Sequence, residues 1–427
     1  MLLQIDEMYH DEVNTALRWL SFESRPLTLG ELNEACLIDP EDADYVDVVN
    51  RGSPRGMLEL LAGLIFVEGV GENSSSDPWT TGKSDELLRL DPHARVKLAH
   101  FSVKEYLTSD RISRGPAAMF AMKEDSVQEY LAQSCVGYIL HYSSSLLGVT
   151  CEADLVNFPF LRYAASSWPQ YLLQCQPKQP GHELKLLVDE HCLSMWLGVF
   201  EPDRPRKRIG QRQNDSLGAG VHYASFLGLR SCVSALIEGG ADIEAEGGRF
   251  GTALQAASGR GHKEIVEMLL EKGANVKAVG GDYGTALQDA SVEGHKEIVE
   301  MLLKAGANVK AAGGDYGTSL QAASVERHQE IVEMLLKAGA DVKAVSGGYG
   351  TALQAASVGG DKEVVGMLLK AGADVKARGG PFGTALQVIS ERGDKEIVEM
   401  LLKADTDVEA EGGAFDAALL TESRSGS

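Results

Sequence analysis

The sequence predicts a mostly α-helical protein whose C-terminal half is a solenoid of stacked helix pairs. Three observations predict it. A block of residues returns every 33 positions. Each block carries apolar residues at helical spacing. The N-terminal half reads as three helices followed by two short β-rich runs. With 427 residues, 44 % of them hydrophobic, the chain is long enough for two or three domains, each with a core.

The repeat begins at Gly251-Thr252-Ala253-Leu254-Gln255 and returns at Gly284, Gly317, Gly350 and Gly383, with Ser319 as the one variant at the third position. The blocks starting at Gly284 and Gly317 agree at 25 of 33 positions. A worn copy precedes them at 218–250, and Asp416 to Leu420 begins a partial one before a polar tail. Within a block, Leu254, Ala256 and Ala257 mark a thin first helix, ended by Gly261, where a left-handed residue is easiest for glycine. Ile265, Val266, Leu269 and Leu270 form the stripe of a second helix, ended by Gly273. Glu300–Lys304, Glu333–Lys337 and Glu399–Lys403 are spaced i,i+4 on its outer side. One block cannot cover its own apolar face, so stability comes from neighbour stacking. Arg327 stands where the other units end their first helix with Gly261, Gly294, Gly360 and Gly393, so it is expected to be a weak point. Asp405 likewise replaces the glycine that ends the second helix, so the end of the stack is degraded.

These residues resemble the ankyrin repeat. Thr-Ala-Leu-Gln-Ala-Ala matches the family's Thr-Pro-Leu-His-x-Ala, and Gly-Ala-Asp/Asn-Val matches the end of its second helix. Two departures recur. Alanine or serine replaces the helix-starting proline. Glutamine replaces histidine at 255, 288, 321, 354 and 387, where it is expected to form a structural ladder between repeats. The resemblance implies protein binding on a concave face made of finger tips and first helices. The variable positions there are Arg260, Glu293 and Glu326 at helix ends, and Asp282 and Asp315 in the fingers. The fingers end in Phe250, Tyr283, Tyr316, Tyr349, Phe382 and Phe415, an aromatic in register every 33 residues. Two readings of these rings stand. Either each packs on the next repeat and holds the finger, or they are an exposed binding ladder in which Tyr283, Tyr316 and Tyr349 touch a partner. Free interchange of Phe and Tyr favours the first, with the Gly-Gly tips beside the rings expected to stay flexible. His262, His295 and His328 give way to Asp361 and Asp394, which suits a helix-start residue rather than a catalytic one.

In the N-terminal half a helix is expected over 11–24, a second from Leu29 to Cys36 with Thr28 as its cap, and a third beginning at Met57. Leu64 to Val67 and Arg95 to Phe101 read as paired strands, with His100 a packed strand residue. This is a winged-helix order. Arg25 to Leu32 and Leu98-Ala99-His100-Phe101-Ser102-Val103-Lys104-Glu105-Tyr106-Leu107 resemble the region just downstream of the NACHT NTPase in fungal NACHT–ankyrin proteins. The helical stretches around Cys135 to Leu140 and Phe158 to Ala165 fit the same resemblance, which covers about residues 1–200. It implies a winged helix of the GPI-inositol-deacylase-like kind and a place in NOD-like signalling. The expected organisation is a winged-helix-like domain at 1–112, a helical region at 113–200, a linker at 201–217, six ankyrin repeats at 218–415, and a partial repeat with a polar tail at 416–427.

The NTPase itself has no counterpart in these residues. Gly82-Lys83-Ser84 lacks the first P-loop glycine, since Asp77 stands there, and it lies in a Ser-rich loop. No zinc-protease, serine-hydrolase or calcium-loop motif occurs. The expectation is therefore a non-enzymatic protein-binding scaffold with no cofactor and no small-molecule substrate. The alternative is the C-terminal fragment of a NACHT NTPase switch. A net charge of −22, with 20 basic against 32 acidic residues before position 218 and 20 against 30 after it, weighs against nucleic acid or anionic membrane as a partner. No apolar run reaches about 18 residues, as a membrane span needs. Six scattered cysteines without paired spacing read as reduced, mostly buried thiols. A cytoplasmic protein is expected, with Arg204-Pro205-Arg206-Lys207-Arg208 as a basic cluster suited to nuclear import.

Overall fold

A computed structural model of the chain describes residues 2–41, 46, 54–68, 93–145, 152–205, 219–380 and 383–404. The chain divides into two compact units, Met1–Asn214 and Asp215–Ser427.

The first unit starts with α1 (His10–Phe22), β1 (Leu27–Thr28), α2 (Leu29–Ala35), α3 (Pro54–Leu60), β2 (Ile65–Glu68) and β3 (Arg95–Leu98). The strands form one antiparallel sheet in the order β1-β3-β2, with Leu27 opposite Val96 and Ile65 opposite Leu98. Strand β1 is additional to the sequence reading. Its two residues are too few to show an alternation. Thr28 caps α2 as expected, by a reciprocal capping box with Glu31. His100 corrects the sequence reading. The strand stops at Leu98, and His100 is an exposed N-cap whose Nδ1 accepts from the Ser102 amide at 3.2 Å. It opens α4 (Phe101–Leu107), so the side chain has no strand neighbour to pack on.

Helices α5 (Asp110–Ser113), α6 (Glu124–Ser144), α7 (Asp154–Asn157), α8 (Leu161–Cys175), α9 (His182–Val188) and α10 (Glu190–Val199) complete this unit. Its core is aromatic. Buried Trp19 donates from Nε1 to the Ala35 carbonyl at 3.2 Å and meets Phe160 edge-on at 5.1 Å. Trp196 donates to the Ala165 carbonyl at 2.9 Å. The segment expected as a linker from 201 is packed where it is described, because Glu201 and Asp203 are buried. Residues 206–218, including most of the basic cluster, lie outside the described residues, as do Asp77, the Gly82–Ser84 loop, and everything from Asp405 on. Of the five cysteines described, Cys135 and Cys232 are buried, and Cys36, Cys175 and Cys192 are half-buried.

The second unit is a run of helix pairs: α11 (Gly220–Leu227) with α12 (Arg230–Glu238), α13 (Ala253–Arg260) with α14 (Lys263–Glu271), α15 (Ala286–Glu293) with α16 (Lys296–Lys304), α17 (Ser319–Val325) with α18 (Gln329–Lys337), α19 (Ala352–Gly359) with α20 (Lys362–Lys370), and α21 (Ala385–Arg392) with α22 (Lys395–Ala404). Small buried residues such as Ala256, Ala257, Ala322 and Ala323 let the first helices approach closely. The second helices bury Ile265, Val266 and Leu269 and their equivalents.

The glutamine ladder has a double role. In the second full repeat pair, Gln255 Oε1 accepts from the Thr252 amide at 2.9 Å, closing a capping box in its own repeat. Its Nε2 donates to the carbonyls of Gly280 and Gly284 in the next finger, each at 2.9 Å. Gln288, Gln321 and Gln354 repeat the donation to the following fingers. One residue type thus starts a helix and fixes the neighbouring finger.

The histidines occupy helix starts without capping them. Instead the His262, His295 and His328 rings cross to the preceding repeat and meet the carbonyls of Phe226, Gly259 and Val292 at 3.1, 3.3 and 3.0 Å. Their aspartate replacements do cap. Asp361 accepts from the Val364 amide at 3.0 Å and Asp394 from the Ile397 amide at 3.3 Å.

This exchange accounts for Arg327. A Cβ placed on Gly261 or Gly294 would come within 2.6 Å of the His295 or His328 ring. Arg327 stands one step further on, where the next repeat carries Asp361 instead of histidine, so a side chain fits. The conformation is nonetheless left-handed, with φ 66°. Relief of about 1–2 kcal/mol of left-handed strain, less about 0.5–1 kcal/mol of glycine's extra unfolded-state entropy, leaves a net gain. Arg327→Gly is therefore expected to raise the stability of the stack by up to about 1 kcal/mol, read as a higher thermal midpoint in far-UV circular dichroism. A lower midpoint would show that the arginine side chain contributes more than its backbone costs.

Candidate protein-binding face

Finger tips and the exposed C-terminal ends of the first helices lie side by side along the repeats. Each finger turns back on itself through a bridge such as Gly280 with Gly284, and the glycine after each ring residue has positive φ, 83° at Gly251. Neighbouring tips, expected from the sequence to be free, are hydrogen-bonded to one another. The Asp282 amide donates to the Arg249 carbonyl at 2.7 Å, Asp315 to Asp282 at 3.1 Å, and Gly348 to Asp315 at 3.0 Å. A Cβ on Gly281 or Gly314 would lie 2.5 or 2.3 Å from the neighbouring finger's backbone. The glycines are there for close approach between fingers.

That backbone ladder puts the rings in a column. Phe226, Phe250, Tyr283, Tyr316 and Tyr349 follow one another at centroid spacings of 5.5, 5.6, 5.7 and 5.8 Å. Phe250 is buried, while Tyr283, Tyr316 and Tyr349 are half-buried. Each ring thus packs on its neighbours and still presents an edge to solvent, so the two sequence readings describe two sides of the same rings. Phe382 and Phe415 lie outside the described residues.

Charge follows the column. Arg260 ends α13, exposed, with its guanidinium 5.0 Å over the Phe226 ring. Arg249 lies 5.0 Å over Tyr283, donates to its hydroxyl at 2.6 Å, and pairs with Asp282 at 3.3 Å. Glu293 ends α15 and Glu326 follows α17, both exposed, and Tyr316 donates to Glu326 at 3.4 Å. Asp315 is exposed on the next finger. Burial raises the Tyr283 phenol above its ordinary range, and burial with Glu326 pushes Tyr316 up to about 12.

Besides Arg249, a second residue of this face escaped the sequence reading. Asp289 stands on α15 where three of the other first helices carry Ala256, Ala322 and Ala355, and the outermost two carry Tyr223 and Val388. It is 1 % exposed, and neither carboxylate oxygen has a hydrogen-bond partner. Burial holds its pKa well above the carboxylate range. Glu293 and Asp282 add to this and Arg249 opposes it. The signal was available as a lone acid in a mainly alanine column.

Residues 221–312, 285–346 and 319–412 match the family described as ankyrin repeats. The C-terminal unit is accordingly an ankyrin-repeat stack, the class of module its helix pairs and fingers define. Among curated proteins, the chain is 34 % identical over 272 residues to the azaphilone pigments biosynthesis cluster protein L of Monascus ruber, an alignment covering 60 % of this chain. It takes in 54 % of that protein, so the chain spans about half the length of this relative. Among the described residues, no helix is long and apolar enough to cross a membrane.

Proposed function

We propose that the chain is a non-enzymatic recognition module that binds a protein partner through the finger tips and first helices of its ankyrin stack. The observation that carries this reading is the half-open aromatic column with charged side chains at its edges. A purely structural column would not need its hydroxyls and carboxylates at the surface, and aromatic rings with arginine are the residues that dominate protein interfaces. Placement in NOD-like signalling rests on the Leu98 to Leu107 resemblance. The helix and strand order of the first unit, with sheet order β1-β3-β2, supports the winged-helix reading of that region.

The test uses the full chain as bait in a lysate, beside Tyr283→Ala/Tyr316→Ala and a control altered on the opposite side, Glu300→Gln/Glu333→Gln. Ring removal is expected to cost about 2–4 kcal/mol of stability, because three ring contacts are lost from half-buried sites, and to abolish capture. The control should capture as the parent does. Equal capture by all three would overturn the reading.

A further inference from the structure

We propose that the middle of this face recognises a basic peptide segment, taking cationic side chains beside Tyr283 and Tyr316 with Asp289 as the floor of the site. The proposal rests on the reading of the stack as a protein-binding module and specifies the partner's chemistry.

Three observations converge on it. The first is the order of charge along the face. First helices end in Arg260, Glu293, Glu326, Gly359 and Arg392, and fingers carry Arg249, Asp282, Asp315 and Gly348. An acidic stretch of two repeats therefore follows Arg249 and Arg260 and gives way to Gly348 and Gly359, with Arg327 beside Glu326 and Arg392 a further repeat on. A segment with its positive charges in the centre fits it, and an acidic segment is repelled.

The second is a precedent within the chain. The Arg249 guanidinium already sits over Tyr283, bonded to its hydroxyl and to Asp282. A ring with flanking acids is thus able to hold a guanidinium in this setting. At the next step the residue equivalent to Arg249 is Asp282, so that position supplies no guanidinium to Tyr316. The arrangement around Tyr316 has the ring and Glu326 but takes its cation from elsewhere.

The third is Asp289. A carboxylate 1 % exposed, with both oxygens unpartnered, is costly to keep, and the alanine of three other repeats would remove that cost. Arg249, Asp282 and Glu293 act on it electrostatically, and the first two belong to the precedent. An incoming cation that displaces Arg249 from the Tyr283 ring supplies the partner this carboxylate lacks.

The spacing selects the form of the ligand. Tyr283 and Tyr316 lie 5.7 Å apart. Alternate side chains of an extended strand lie about 6.6 Å apart. An extended segment with cationic residues at every second position follows the ring column to within about 1 Å per step.

The experiment measures anisotropy of a labelled Gly-Arg alternating dodecapeptide with the full chain in about 0.15 M salt, where exposed charges are screened beyond ~8 Å. Saturable binding is expected, with no binding of the matching Gly-Glu peptide. Asp289→Asn and Glu326→Gln should each weaken it roughly tenfold. Glu300→Gln/Glu333→Gln, which removes as much negative charge or more on the opposite side, should leave it unchanged. Amide exchange of α15 checks that Asp289→Asn is folded, and Glu326→Gln, on the surface, decides the matter if it is not. Absent binding, binding of the acidic peptide, or equal weakening by the outer control would each overturn the proposal. If protein capture depends on Tyr283 and Tyr316 while the basic peptide fails to bind, the general function stands and this inference falls.

Discussion

Replacing His222 with glutamine is expected to remove on the order of 3 kcal/mol of acid sensitivity from the repeat stack. His222 opens the worn first repeat at the position filled by Gln255 in the next. It is fully buried, and neither ring nitrogen has a hydrogen bond of good geometry. Burial lowers its pKa from 6.5 to about 4, although the nearby Gly251 and Thr252 backbones favour the charged ring. The folded protein therefore holds the ring neutral where the unfolded chain would protonate it. The stability present above pH 6.5 is lost as pH falls toward about 4. Glutamine has no charge to gain and fits the column. Amide exchange of α11 and α13 between pH 7 and 4 should show the parent losing protection that His222→Gln retains. The same acid slope in both proteins would place the sensitivity elsewhere.

Asp289→Ala is expected to stabilise the stack by about 2 kcal/mol at neutral pH, the cost of a buried polar group without a partner. The sign with pH is opposite to that of His222. A carboxyl whose pKa is raised on folding contributes fully below its unfolded value of about 3.9, and that contribution is lost as pH rises through the folded pKa. The gain from alanine should thus be small in acid and grow toward neutrality. Alanine is already accommodated at 256, 322 and 355, each fully buried, so no packing defect is expected. The tryptophans, Trp19, Trp79, Trp168 and Trp196, all belong to the first unit's sequence. Their fluorescence serves as an internal reference, while far-UV circular dichroism and amide exchange follow the repeats. A variant no more stable than the parent at pH 7 would show that Asp289 has a compensating partner in solution. The two substitutions also separate stability from recognition, because alanine at 289 should strengthen the fold and weaken basic-peptide binding.

Much of the candidate site was legible before any coordinates. Arg260, Glu293, Glu326, Asp282, Asp315, Tyr283, Tyr316 and Tyr349 were marked by variation and register against a constant core, and the fold brings them to one face. Arg249 and Asp289 were not marked. A lone charged residue in a repeat column reads as noise until its burial and neighbours are known. The strand reading of His100 failed for a related reason. A run of mixed apolar residues does not say where pairing stops and a cap begins. The histidines stand at helix starts as the sequence indicates, but their bonds reach back 36 residues, which no local pattern shows.

The amino-acid sequence by itself determined what is local and periodic. The 33-residue repeat set the helix pairs, threonine and glutamine set the first-helix starts, and glycines set the left-handed ends, because caps, apolar stripes and positive φ act within a few residues of one another. Tertiary structure decided what depends on the approach of one repeat to the next. Stacking placed the rings in a half-open column, locked the glycine tips against neighbouring backbone, and seated Arg249 over Tyr283. It also closed the surroundings of Asp289 and His222 away from water. Burial and partnership arise from groups a full repeat apart, and only the packed stack fixes how closely they meet.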